Sequence, residues 1–264
     1  MCQTSEEATR LILAIVQARM SSSRLPGKVL LPLWGEPMLV RMIERVRRAT
    51  SLDAVVVATS TDASDDDIAS ICDERKIDCE RGSLDDVLDR FYRVAERRQP
   101  GHIVRLTGDC PLIDPAVIDE VVGFALDGGY DYASNTLEPT FPDGLDVEVC
   151  TFNALQEAWR RSRLPSEREH VTPFIKTNST FRLGNYRLPH DYSAHRWTVD
   201  EPEDLALVTR IYEALMPDGP NFGMAEVIDF VTLHPEIAVL NAQFGRDEGY
   251  ARSVAKDLAF KGSR

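Results

Sequence analysis

The chain has 264 residues, 43% hydrophobic and 28% charged, with a formal net charge of -13, which is enough for one large α/β domain with a small appendage and too little for two full domains. So acidic a molecule repels nucleic acid, and no apolar run approaches the ~18 residues of a membrane span, so neither partner is expected and any anionic ligand must be gripped locally. Five cysteines (Cys2, Cys72, Cys79, Cys110, Cys150), odd in number and never spaced CxxC, suggest neither a disulfide framework nor a zinc site, and the polar start MCQTSEEATR lacks a signal peptide's basic region, so a cytoplasmic location is expected.

Residues 1–10 are expected to be disordered or extended. The apolar runs LILAIV (11–16), AVVVAT (54–59) and HIVRLT (102–107) are short and rich in β-branched residues, as buried parallel strands are. Between them Leu39, Met42, Ile43 and Val46 fall on one helical face, as do Val87, Leu88, Phe91 and Val94. Ser64, followed by Asp65, Asp66 and Asp67, reads as the cap of a third helix. The pattern is βαβαβ. An amphipathic helix follows Pro115, then possible strands in LDVEVC (145–150), FRLGNYRL (181–188) and HRWTVD (195–200), and a helix over 201–215 with Pro202 in its first turn. Residues 11–215 are read as the main domain and 216–264 as a C-terminal helical appendage.

The stretch Val16–Leu39, VQARMSSSRLPGKVLLPLWGEPML, puts Arg19, Arg24 and Lys28 where a buried strand yields to a loop, the usual ligand position in an open α/β sheet. There is no GxGxxG after the first strand and no GxxxxGK[ST] anywhere. Backbone amides, serines and three cations in such a loop suit a triphosphate instead. Asp109, beside Gly108, and Asp200, ahead of Pro202, both follow expected strand ends, and two carboxylates with substrate phosphates suffice for Mg²⁺. Alone, each also fits a capping role. Ser166 and Glu169 match a capping box, which makes the adjacent His170 a hydrogen-bonded structural residue or a base. Asp146 and Glu148 share a strand face, solvated or lining a pocket, and Gly144 permits close backbone approach. Cys110 reads as a small buried thiol, not a nucleophile.

The run QARMSSSRLPGKVLLPLWGEPML resembles the N-terminal signature of the CMP-KDO synthetase and acylneuraminate cytidylyltransferase superfamily. RLTGDCPLIDP (105–115), FPDGLDVEV (141–149), SEREHVTPFI (166–175) and HRWTVDEPEDL (195–205) follow in the order of its spore-coat polysaccharide biosynthesis protein F branch. The resemblance covers residues 11–215 and implies a GT-A-like nucleotidyltransferase fold, an α/β three-layer sandwich with a mostly parallel mixed sheet. It implies CTP as substrate, a divalent metal (Mg²⁺ or Mn²⁺), CMP attached to a sugar or sugar-acid acceptor with release of pyrophosphate, a role in surface-polysaccharide biosynthesis, and a homodimer. On this resemblance Arg19, Arg24 and Lys28 bind the triphosphate, and Asp109 and Asp200 bind metal, with Arg19, Lys28, Asp109 and Asp200 catalytic. The nucleobase is expected near Ala18, Thr59, Ser60, Ser83 and Arg90, and the acceptor near Asp143, Gly144, Asp146, Glu148, His170 and His195, where His195, Arg196 and Arg168 would suit a sugar carboxylate. The rival readings are a GT-A-type glycosyltransferase, disfavoured because Asp109 stands isolated in GDC where a DxD site is usual, and a non-catalytic polysaccharide-assembly partner.

Overall fold

The structure, a computed structural model, describes residues 11–246 and 248–262, so the expectation for residues 1–10 lies outside the described residues. Its centre is a strand, β1 (Ile12–Gln17), paired in parallel with β4 (Ala54–Ser60) on one side and β6 (His102–Thr107) on the other. β5 (Cys79–Gly82) extends the parallel set beyond β4. Beyond β6 comes β8 (Glu148–Thr151), antiparallel to it, then β7 (Tyr132–Ser134) and β9 (Leu183–Asn185). The sheet therefore has seven strands in the order β5-β4-β1-β6-β8-β7-β9. A separate short hairpin joins β2 (Pro32–Leu33) to β3 (Glu36–Pro37).

Side-chain alternation along β1 makes the three layers. Ala14 and Val16 face a core built with α1 (Met38–Val46), α4 (Pro115–Gly128) and α8 (Pro202–Leu215), through Met42, Val121 and Ile211. Leu13 and Ile15 face a second core with α3 (Val87–Arg98) and α5 (Phe152–Arg161), through Phe91 and Leu155. A strand buried on both faces reads as an unbroken apolar run, which is why LILAIV shows no alternation of polarity. The remaining helices are α2 (Asp66–Glu74), α6 (Pro165–His170), α7 (Pro173–Thr177), α9 (Met224–Leu233), α10 (Pro235–Ala238) and α11 (Glu248–Gly262). Among the described residues no helix is long and apolar enough to cross a membrane.

The chain leaves β1 toward β4 on one side and later returns to add β6 on the other, so the carboxyl ends of β1 and β6 flank a switch point, where a ligand crevice forms. Gly108 lets the two ends meet: its N–H donates to Gln17 O at 2.8 Å, and a Cβ there would stand 2.9 Å from that oxygen.

Three local expectations change. HRWTVD is not a strand, because Asp143 O accepts from both Trp197 N (2.6 Å) and Thr198 N (3.0 Å), leaving a single bridge between Asp143 and Arg196. Ser64 caps no helix, and Asp65, at the N-cap position of α2, makes no side-chain cap bond. Fully buried, it accepts from Met20 N (2.7 Å) and the Ser60 hydroxyl (2.5 Å), tying the first loop to the end of β4, while Asp62 accepts from Ser64 N (2.9 Å). Glu167, not Glu169, closes the start of α6 by accepting from Leu164 N (3.0 Å), since Pro165 occupies the first helical position.

Candidate active site

A cleft of about 1010 Å³ opens at the switch point. Its floor is an interlocked set of charges. Lys28, at the start of a short 3-10 turn after Gly27 (φ 71°), sends Nζ to within 2.8 Å of Asp109 Oδ2 and 2.7 Å of Asp200 Oδ1. Arg24 reaches Asp200 at 2.6 Å and Glu201 at 3.3 Å. Burial alone would neutralise both partners of the Lys28–Asp109 pair, but each outweighs it for the other. Lys28 is raised above its ordinary pKa, and Asp109, also bonded by Thr107, lies well below the usual carboxylate range. Lys28 and Asp109 are therefore both ionised throughout the neutral range.

Asp200 is itself held from behind. Asp204, fully buried, accepts from Asp200 N and Glu201 N (both 2.9 Å) through one oxygen. Its other oxygen accepts from Arg196 Nε (3.0 Å) and Asn241 Nδ2 (2.7 Å). Arg196 spans Asp143 (3.1 Å) and Asp200 (3.3 Å) as well. Among the described residues no group of three or more His, Cys, Asp or Glu side chains could hold a metal ion. Yet Asp109 and Asp200 bring two hard carboxylates to either side of one ammonium, Lys28 Nζ, and such a pair fits a divalent cation whose remaining ligands are substrate oxygens and water.

Arg19 is the most open of the three loop cations, its side chain 41% exposed and 3.6 Å from Glu169. Arg90, on α3, is 2% exposed, donates through Nη1 to Ser83 O (2.8 Å) and leaves Nε without a partner among the described residues. Burial, then the nearby Arg19, lowers its pKa to about 10. Ala18 completes this end of the cleft, whereas Thr59, Ser60 and Ser83 do not line it. Ser60 is spent on Asp65, and the Ser83 hydroxyl accepts from Asp86 N at 3.0 Å as a turn cap. Sequence position near a strand end did not reveal that Ser60 turns inward or that the exposed Ser83 serves a turn.

At the other end Asp143, Asp146, Glu148 and His170 line the cleft, while Gly144 and His195 do not. Gly144 (φ 108°) serves chain crossing: a Cβ there would lie 2.6 Å from the backbone of Trp197 and Thr198. His195 packs its ring 5.9 Å from that of Trp197. Asp146 pairs with Arg246. Glu148 is no solvated strand residue. It accepts from Tyr132 (2.7 Å) and Thr172 (2.5 Å) and pairs with Arg105 and, at 3.2 Å, Lys176. Burial works to raise its pKa, but the two cations and two hydroxyls prevail and hold it well below the carboxylate range. His170 Nε2 meets Ser253 Oγ at 2.9 Å, and burial lowers its pKa to about 4. Arg168 lines the cleft but is paired with Asp86. Cys110 is buried, and burial, then Asp109, pushes its thiol pKa far up, so it supplies no thiolate. Of the residues that sequence reading missed, Arg105, Lys176, Asn241 and Arg246 act through partners distant in the chain, whereas Asp204 holds the backbone of Asp200 and Glu201 just ahead of it. For Arg105 the faint signal was a cation inside an otherwise apolar strand, which at a buried position requires a carboxylate.

The sequence pattern of a cytidylyltransferase family matches residues 13–213. The spore coat polysaccharide biosynthesis protein SpsF of Bacillus subtilis is 35% identical over 235 residues, covering 86% of this chain and 96% of that one. A solved cytidylyltransferase from Leptospira borgpetersenii superposes with a TM-score of 0.82 at 33% identity, covering 86% of this chain and 96% of that one. CMP:2-keto-3-deoxy-manno-octonic acid synthetase, solved with CTP, superposes with a TM-score of 0.62 at 17% identity over 77% of this chain and 98% of its own, a likeness of fold.

Proposed function

We infer the following reaction for this chain, which belongs to the cytidylyltransferase family and is a nucleotidyltransferase that uses CTP: CMP passes to a hydroxyl of a sugar-type acceptor, and pyrophosphate leaves. The observation that carries the assignment to this cleft is the Lys28 ammonium lodged between Asp109 and Asp200 at the carboxyl edge of the sheet. An oxygen of the acceptor attacks the α-phosphorus of CTP in line, the bond to the β-phosphate breaks, and no covalent enzyme intermediate is needed. Arg19, Arg24 and Lys28 hold the β- and γ-phosphates and stabilise the departing charge. Asp109 and Asp200 would hold Mg²⁺ or Mn²⁺, which when bound would neutralise charge on the α-phosphate. Arg90, whose Nε lacks an acceptor among the described residues, donates to the nucleotide beside Ala18. Asp143, Asp146 and His170 border the acceptor, while Arg105 and Lys176, sharing one glutamate, give that end the cations a sugar carboxylate needs. The names of the relatives, which include 3-deoxy-manno-octulosonate cytidylyltransferases as well as SpsF, favour an acidic sugar destined for polysaccharide assembly.

Pyrophosphate release from CTP and Mg²⁺ across nonulosonic acids, amino sugars and polyols tests this reading. At least one acceptor should give metal-dependent release; none doing so, in protein that binds CTP, would contradict it.

A further inference from the structure

The last helix, α11, lies beyond the residues 13–213 matched by the family pattern, yet Gly249, Tyr250, Ser253 and Lys256 line the cleft. Ser253 is 2% exposed, and its Oγ sits 2.9 Å from His170 Nε2, 2.8 Å from Glu169 Oε2 and 3.3 Å from Gly249 O. The hydroxyl has one proton to share among them. Burial acts to raise the pKa of Glu169, but the Ser253 hydroxyl, then His170, Lys256 and Arg19, outweigh it and hold the carboxyl ionised, so it can only accept. Ser253 therefore donates to Glu169, and His170 Nε2 must be the N–H that donates to Ser253.

The backbone fixes this orientation. Val171 occupies φ 70°, ψ -56°, with Thr172 N donating to His170 O at 2.8 Å, the rarer and more strained of the two γ-turn forms, on a β-branched residue. That turn sends Thr172 to Glu148 while His170 stays against α11, edge-on to Tyr250 with ring centroids 5.2 Å apart. The charged groups around His170 are Arg105, Lys176, Lys256, Glu148 and Glu169, and burial, the largest influence, keeps its ring neutral. A neutral imidazole carries one N–H. With that proton on Nε2, Nδ1 is a bare lone pair, and no protein group among the described residues meets it.

We propose that Ser253 is a positioning residue that fixes His170 as its Nε2–H tautomer, presenting Nδ1 to the cleft as a hydrogen-bond acceptor for a hydroxyl of the sugar-type acceptor. The identity of that ligand rests on the cytidylyl-transfer reading; the tautomer does not. A carboxylate has no hydrogen to give Nδ1 and belongs with Arg105 and Lys176, so one acceptor can be read at two points, by hydroxyl and by acid.

The test is ¹⁵N NMR of the full chain, labelled at histidine, at pH 7, with His170 assigned by loss of its signals in His170→Gln. Wild type should show a pyridine-type Nδ1 and a pyrrole-type Nε2. Ser253→Ala should populate the opposite tautomer, and Ser253→Thr, which keeps the hydroxyl, should restore the wild-type spectrum. Glycerol, as a hydroxyl probe, should move the Nδ1 resonance more than acetate does. An Nδ1–H or imidazolium form in wild type, an unchanged spectrum in Ser253→Ala, or a response to acetate alone would overturn the proposal. Because wild type alone decides the tautomer, an unfolded alanine variant leaves the proposal exposed to refutation. A reversed tautomer with pyrophosphate release intact would count against this inference alone, and lost release with the tautomer intact against the functional reading alone.

Discussion

Lys28 and Asp109 touch, but their loss should differ in kind. In the proposed reaction Lys28→Ala would remove a contact to the phosphates, and it leaves Asp109 and Asp200 without the ammonium between them, so CTP binding should weaken and turnover slow. Asp109→Asn keeps the shape of the side chain but removes a charge from the metal position, so kcat should fall by roughly 10²–10³-fold, the usual cost of losing a preorganised charge stabiliser. Because both act on one metal–nucleotide complex, the double variant should lose less than the product of the single losses. Steady-state kinetics on variants shown to be folded by circular dichroism checks all three. His170 gives a prediction in pH. Its pKa falls from an ordinary 6.5 to about 4 in the folded chain, so the unfolded chain binds the proton more readily. Its contribution to stability is therefore whole above pH 6.5 and fades as pH falls toward 4, and His170→Gln should flatten the dependence of the urea midpoint on pH across that window. Arg19 and Asp109 were legible in the sequence because each lies two residues past the end of a strand, β1 or β6, and geometry then dictates where it projects; Arg24 and Lys28 lie further along the first loop, and Asp200 follows a stretch that forms no strand. Ser60 and Ser83 misled because a hydroxyl near a strand end serves a turn as readily as a ligand.

Elements differ in how much of themselves they disclose. β1, β4 and β6 were plain because burial on both faces makes them continuous apolar runs, and α8 because Pro202 and its acids mark the start. HRWTVD failed because its alternation serves a crossing of two chain segments, not a ladder, and that crossing depends on Gly144. Gly144→Ala should lower stability by about 1–3 kcal/mol, as a side chain forced into a positive-φ position does, and the urea midpoint would show it. The C-terminal segment showed weak periodicity in sequence because its role here is polar: Asn241 holds Asp204 and the Arg196 carbonyl, and Arg246 reaches Asp146 and Phe141 O. Asn241→Ala removes a hydrogen bond to a buried carboxylate worth roughly 1.5–3 kcal/mol. With Asp200 less firmly held, the Mg²⁺ concentration giving half-maximal rate should rise; a variant with lowered stability and unchanged metal dependence would restrict Asn241 to a role in folding.

Across the whole molecule, an acidic protein with a net charge of -13 gathers cations in one cleft and returns carboxylates to them at short range, an arrangement that suits the proposed substrate, a polyanion that arrives with its own metal. The fold brings the loops after β1 and β6 together with the start of α8, three places far apart in sequence. Chain order alone could not reveal that arrangement, and the family resemblance supplied it. The measurement that tests the account most directly is pyrophosphate release from CTP with Mg²⁺ and the best acceptor of the screen, wild type beside Asp109→Asn. Wild type should show metal-dependent release, and a folded Asp109→Asn should lose nearly all of it. Near-normal, metal-dependent release by that variant would mean that Asp109 only caps a turn, and that the chemistry assigned to this cleft is wrong.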